Sequence, residues 1–178
     1  MIISKLLETT TTSFSMTSFG GTKDNAISIG IEDIKFSPEP NAVDIDGVDA
    51  GVTTLSHHFR LDISVRTVVI GEDETIAKVT SSTKISTLNS FLIAVGPDAE
   101  YDPVAAPPED AILAAITETA GKLRTMFTAA MSTTGDPFIL GVPIIDAPAL
   151  YSTFLEKKKQ DESDVDVDYA GDVEPGTE

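Results

Sequence analysis

Residues 111–132 read AILAAITETAGKLRTMFTAAMS, and this stretch decides the fold class. Its apolar residues recur at spacings of three and four, which is typical of one face of an amphipathic helix. Pro108 suits the first turn of this helix, and Gly135 suits its end. Because packing is the default use of such a stripe, we expect these side chains in the core: Ile112, Ile116, Ala120, Leu123, Phe127 and Ala130.

A second, shorter helix follows after an extended apolar crossing. The crossing covers residues 138–145 and is broken by a glycine and a proline. Asp146 is placed to be the N-cap of a helix over residues 147–159. One face of this second helix is apolar and comprises Leu150, Tyr151, Phe154 and Leu155.

Residues before the helices alternate between apolar and polar types, which predicts strands. The pattern is strongest over residues 59–70, and a Gly-Glu-Asp turn then leads to a Thr/Ser-rich return strand over residues 75–85. Residues 25–36 also alternate, with a change of parity near Glu32 that predicts a β-bulge. Residues 42–46 form a further short strand. An α+β fold follows, with an antiparallel sheet that has one face towards water.

Two terminal segments differ in composition from the rest. Residues 1–24 are Thr/Ser-rich, and we expect a flexible extension there. A frayed edge strand is the alternative, because Thr has good β propensity. Residues 161–178 hold eight acids and no base, which predicts a disordered tail. The folded domain is then residues 25–160.

Charge and composition limit the classes of partner. The chain has 178 residues with 12 basic and 29 acidic side chains, so its net charge is −17. Such a charge opposes binding to nucleic acid and to anionic membranes. The absence of cysteine excludes disulfides and thiol catalysis. The start of the chain is unlike a signal peptide, and about 18 consecutive apolar residues occur nowhere. We therefore expect a cytoplasmic protein without membrane insertion.

Groupings of residues that indicate catalysis or a cofactor are missing from the sequence. His57 and His58 are adjacent before a strand, and neighbours on a strand point to opposite faces. A G-x-S-x-G elbow for a nucleophile is also lacking. Acidic runs near Asp44 and Asp164 match only part of a calcium loop, since the first lacks the first ligand and the final glutamate and the second lacks the glycine and the final glutamate. We expect a protein that is not an enzyme and that carries no cofactor and no metal.

The order of several pieces resembles the SecB family of export chaperones. These pieces are residues 31–36 (IEDIKF) before Pro40-Asn41-Ala42, residues 59–70 before an acidic hairpin, residues 123–132, and Gly135, Phe138, Leu140, Pro143 and residues 147–155. The resemblance covers about residues 27–160 and lies in order and spacing. It implies a four-stranded antiparallel sheet with two helices packed on one face. It also implies a homotetramer, built as a dimer of dimers.

The activity that this resemblance implies is that of an ATP-independent holdase, which binds unfolded polypeptide clients in an apolar groove during protein export and translocation. The candidate client-binding residues are Val43, Ile45, Phe91, Leu92, Ile93, Val95, Tyr101 and Phe138. For the residues from Phe91 to Tyr101 the alternative is ordinary packing, in which the crossing after Val95 covers the core. A structural or assembly subunit, for example of a virion, is the alternative to a chaperone.

An acidic sheet face docks the motor protein SecA in this family. The candidate docking residues are Asp33, Glu72, Asp73 and Glu74. Ser37 and Lys78 or Val79 stand where two further acids are expected, which argues against docking of a SecA-like motor. A specialised relative that serves a toxin–antitoxin pair or is carried by a virus fits these departures.

Overall fold

A computed structural model describes residues 2–18, 25–45, 51–70, 76–102, 107–132, 142 and 144–168. Its strands precede its helices along the chain, as the sequence predicts. The strands are β1 (Ile2–Ser18), β2 (Asn25–Phe36), β3 (Asn41–Ala42), β4 (Thr53–Ile70) and β5 (Ile76–Val95). The helices are α1 (Glu109–Ser132) and α2 (Ala147–Asp168).

The strands form one antiparallel sheet in the order β1-β5-β4-β2, and β3 pairs with β4 beyond the end of β2. Within the described residues the sheet has five strands, and the expected number of four is wrong. The return strand predicted over residues 75–85 is longer than expected, since β5 runs on to Val95. Strands β1 and β2 occupy the two edges.

The N-terminal segment forms a long edge strand. Strand β1 pairs with β5 from Ile2 opposite Val95 to Ser18 opposite Ser81. Leu6, Phe14 and Met16 pack against the core from this strand. Residues 2–18 therefore form an edge strand, which is the second of the two interpretations of residues 1–24. Since this strand is part of the sheet, the expected domain boundary at residue 25 is corrected. Burial of apolar side chains among the many threonines favours the ordered strand over a mobile extension.

The core lies between one sheet face and the two helices. Odd-numbered residues of β4 point into it, and Phe59, Leu61 and Ile63 have no exposed surface. Both helices contribute to the same cluster of buried side chains, α1 through its apolar stripe and α2 through Ala147 and Tyr151. This arrangement confirms the amphipathic helix and the apolar face of β4. It also places both helices on one side of the sheet.

Two local predictions are confirmed by the backbone. The register between β2 and β4 shifts between Ile31 and Asp33, where the change of parity predicts a bulge. The carboxylate of Asp146 accepts a hydrogen bond from the backbone N–H of Ala149 at 3.1 Å, as an N-cap does.

The second helix is longer than expected, since α2 runs on to Asp168 and therefore includes the first part of the expected disordered tail. Extending an existing helix costs much less than starting one. The rest of the tail, residues 169–178, lies outside the described residues.

Candidate functional site

An apolar groove of about 550 Å³ lies between strand β2 and helix α2. Ile34 and Phe36 of β2 form one wall, and Phe154 and Leu155 of α2 form the other. Ile112 of α1 also lines the groove. Leu155 is 37% exposed, so a large apolar side chain faces water beside the groove. A groove of this size and lining can take apolar side chains of a bound molecule.

Strand β2 brings an unpaired backbone edge to this groove. It pairs with β4 on one side and with no other strand of the described part of the chain. Pro38 and Pro40 follow it, and proline lacks the N–H that a ladder needs, so pairing to β4 resumes only at Asn41. An unpaired edge offers N–H and C=O groups to an added strand.

The bulge in β2 positions the groove residues. It reverses the parity of the strand after Ile31, so Ile34 and Phe36 lie opposite Leu61 and Phe59 of β4. The apolar side chains of the outer part of β2 thereby keep facing the helices. Without the extra residue at the bulge, Ile34 and Phe36 would point to the outer face of the sheet.

Charged side chains surround the groove and largely neutralise one another. Glu32 accepts a hydrogen bond from Arg66 Nη2 at 2.8 Å, and the Asp33 carboxylate lies 3.1 Å from Lys35 Nζ. On the side of α2, Lys157 and Lys158 are exposed beside the groove together with Asp161. The two lysines form no ion pair with a described residue. Among the described residues, the opening therefore presents two lysines without an ion pair next to the carboxylate of Asp161.

Tyr151 supplies a polar group to the apolar wall. Burial raises the pKa of its phenol, and the charge of Glu109 raises it further. The hydroxyl therefore stays protonated at neutral pH and can donate a hydrogen bond.

Several of the predicted client-binding residues do not face the groove. Strand β5 turns Phe91, Ile93 and Val95 towards the core, where Phe91 and Ile93 have no exposed surface. Their assignment to a client surface is corrected, because a strand with one buried face places alternate residues inside. Leu92 lies on the opposite face of the sheet, between Lys5 and Ser56 on the neighbouring strands.

The remaining candidates are scattered. Val43 and Ile45 are half-buried beyond β3, and Phe138 lies outside the described residues. Tyr101 is half-buried, and its hydroxyl lies 3.1 Å from Nδ1 of His57. The Tyr101 ring stands edge-on to the His57 ring, with centroids 5.8 Å apart. This contact holds the segment after β5 on the core, as the packing alternative predicts.

The predicted docking acids can be placed only in part. Asp33 lies beside Asp62 of β4 on the face away from the helices. That face also carries an ion pair of 2.9 Å between Arg60 and Asp62. Glu72, Asp73 and Glu74 lie outside the described residues. The described part of this face is balanced in charge.

The sequence predicts the apolar faces that form the groove but not the groove itself. Phe154 and Leu155 belong to the predicted apolar face of the second helix, and Ile34 and Phe36 follow the predicted bulge. The pattern showed an apolar face in each element. It did not show that the two faces meet at a sheet edge and leave a gap.

Other kinds of site are missing from the residues that the structure describes. His, Asp and Glu side chains among them form no group of three that could hold a metal ion. The helices α1 and α2 are not long and apolar enough for a membrane span.

Comparison with known proteins adds one finding. No protein-family model and no curated protein matches the sequence. Among solved structures the chain is similar to a SecB-like chaperone of Mycobacterium tuberculosis in complex with a ChAD peptide from the HigA1 antitoxin. The match has 11% identity, covers 80% of this chain and 91% of the other, and has a TM-score of 0.38. A likeness at this level carries no argument.

Proposed function

We propose that the chain is a holdase that binds extended apolar segments of unfolded polypeptides without ATP. The observation that supports this most is an apolar groove beside the unpaired edge of β2. A client segment adds to β2 as a strand and makes main-chain hydrogen bonds, which do not depend on its sequence. Its apolar side chains enter the groove at alternate positions. Broad specificity for unfolded chains follows from this combination.

The proposal includes a homotetramer in the cytoplasm and excludes catalysis. A SecA-like motor is not part of it, since Asp33 is paired with Lys35 and lies on a face of balanced charge. A groove that binds the client through its backbone and apolar side chains is compatible with a role in protein export. It is equally compatible with a specialised client, such as one member of a toxin–antitoxin pair.

A matched pair of variants on α2 tests the groove. Leu155→Glu places a carboxylate beside the groove, whereas Ser152→Glu places one at an exposed position that does not line it. We expect Leu155→Glu to weaken the binding of carboxymethylated α-lactalbumin, which stays unfolded, by about 1–3 kcal/mol, or roughly 5- to 150-fold. Ser152→Glu should leave the affinity unchanged.

Both variants should keep the urea midpoint of the parent chain, because both positions are exposed. If the two folded variants bind the client with equal affinity, the client does not bind in the groove.

A structural or assembly subunit is the second candidate, and strand β1 favours it. Among the described strands it pairs with β5 alone, and Ile3 and Leu7 on it are 55% and 52% exposed. Such an edge can join copies of a chain into an assembly. A holdase suppresses the aggregation of a guanidinium-denatured client at stoichiometric amounts. A structural subunit leaves the light scattering of that client unchanged.

A further inference from the structure

The end of helix α2 carries a sequence that suits a strand better than a helix. Residues 163–169 read SDVDVDY, in which Val165, Val167 and Tyr169 alternate with aspartates. A period of two places all apolar residues on one side of a strand and all acids on the other. In a helix the same spacing of two sends the valines to opposite sides of the axis.

The helical conformation that the structure gives residues 163–168 is weakly favoured. Valine and aspartate are poor helix formers, and aspartates near the C-terminus oppose the helix dipole. Ala147, Leu150, Tyr151 and Phe154 pack against the core from α2, and all four lie in its first half, before this segment.

The groove lies within immediate reach of the segment. Asp161 lines the groove, so residues 163–169 follow it after a single intervening residue. Successive parts of α2 line cavities beside successive parts of β2, from Ala149 next to Ile29 to Asp161 in the groove that reaches Phe36. The helix and the strand thus run in the same direction. A chain that turns back after Asp161 runs antiparallel to β2, as every other pair in this sheet does.

Length and charge also match. Seven residues in a strand span about 23 Å, and the six residues of β2 from Ile31 to Phe36 span about 20 Å. Lys157 and Lys158 beside the groove have no ion partner among the described residues. The carboxylates of Glu32 and Asp33 on the same strand are already paired with Arg66 and Lys35. An acidic strand added there lies near two lysines that form no ion pair with a described residue.

We propose that residues 163–169 add to the edge of β2 as an internal pseudo-client and compete with unfolded polypeptides for the groove. The valines occupy the apolar walls, which Phe154 and Leu155 of α2 help to form, and the aspartates point to the other side of the added strand, towards solvent. This inference rests on the proposed function, because it takes the client groove as the site of the tail.

A short tether makes even weak binding effective. Such a tether gives a local concentration on the order of 1 mM. A tail with an intrinsic Kd of about 0.2 mM then weakens client binding about sixfold, since the factor is one plus the ratio of these values. Clients that bind well displace the tail, whereas weakly apolar segments do not.

Two full-length double variants test the competition. Val165→Ser with Val167→Ser removes the apolar side of the segment and keeps every charge. Ala170→Ser with Val173→Ser makes the same number of changes in the tail outside the segment. Carboxymethylated α-lactalbumin should bind about sixfold tighter to the first variant than to the parent chain. The second variant should bind this client with the same affinity as the parent chain. Equal affinities of all three chains for the client overturn the proposal.

A direct binding measurement separates this inference from the proposed function. A fluorescein-labelled peptide of residues 160–178 is titrated with the Val165→Ser/Val167→Ser chain, and a peptide of the same composition with its valines and aspartates out of alternation serves as control. We expect saturable binding of the native peptide only. Equal binding of both peptides, or of neither, contradicts the inference whether or not clients bind. If the native peptide binds but the unfolded client does not, the proposed function fails and the tail site stands.

Discussion

His57 is fully buried, and both of its ring nitrogens have a partner. Nε2 lies 2.8 Å from the carbonyl oxygen of Ser37, which can only accept, so Nε2 carries the proton. In the neutral ring, Nδ1 then accepts a hydrogen bond from the Tyr101 hydroxyl. The ring thus connects the end of β2 with the segment after β5, and it links the groove strand to the rest of the fold.

Replacing Tyr101 by Phe should lower the free energy of unfolding by about 1 kcal/mol at pH 7, since one hydrogen bond is lost. Burial, with a further contribution from Asp102, raises the pKa of Tyr101 to about 12, above its usual value of 10. Because the phenol binds its proton more tightly in the folded state, its contribution to stability is fully present below pH 10, where the unfolded chain is still protonated. The contribution is lost as the pH rises through 12, where the folded chain also loses this proton. The stability difference between parent and Tyr101→Phe, taken from urea midpoints, should therefore narrow between pH 10 and pH 12. A stability difference that stays constant over this pH range would show that the Tyr101 hydroxyl does not contribute to the pH dependence of stability.

Asn89 is the centre of a buried polar cluster beneath α1. Its side chain accepts a hydrogen bond from Thr9 at 2.9 Å and donates to Thr87 at 3.1 Å, and Thr87 lies 3.0 Å from Thr119 of α1. Asn89→Ala leaves buried groups without partners and opens a cavity, so we expect a loss of about 2–4 kcal/mol. Ser90→Ala, the adjacent half-buried position, should change stability by less than about 0.5 kcal/mol. Similar urea midpoints for both variants would contradict this role.

Register explains which single residues could be placed from the sequence. The alternation of residues 59–65 identified the core-facing positions correctly, because each apolar residue there is followed by a polar one, whereas it did not show that Asp62 and Ser64 on the other face are buried as well. Residues 91–95 are apolar at every position, so the pattern could not show which of them point inward. Pairing with β4 settles this, as Phe91 lies opposite the buried His57.

At the scale of elements, deletion of strand β1 distinguishes a paired edge strand at the N-terminus from a mobile extension. Removing residues 1–18 takes away the packing of Leu6, Phe14 and Met16 and the hydrogen bond to Asn89. We expect the urea midpoint to fall by an amount that corresponds to several kcal/mol. A mobile extension would leave the midpoint unchanged, and that result would contradict the paired strand.

Both helices were predictable because a period of 3.6 over many residues is distinctive. Strand β1 was harder, since a run of threonines and serines lacks the apolar alternation that marks a half-buried strand. Its order comes from pairing with β5, more than 60 residues away along the chain. The groove depends on a similar long-range relation between β2 and α2, which local patterns do not contain.

At the scale of the whole molecule, assembly and net charge act together. The acidic residues 161–178 supply eight of the 17 excess negative charges, and like charges keep a protein with an apolar groove dispersed. We expect copies to associate through sheet edges and helices into a tetramer. Sedimentation equilibrium should give a mass near four times 18.8 kDa. A monomer at micromolar concentration would contradict the proposed assembly.

Hydrogen exchange of the β2 amides tests most directly whether an extended client adds to the sheet at this groove. Excess carboxymethylated α-lactalbumin should slow exchange at alternate amides of residues 31–36, because only every second N–H of an edge strand points outward. Exchange along β1 should stay unchanged and serves as the internal control. Client binding without added protection in β2, or with protection along β1 instead, would contradict the account.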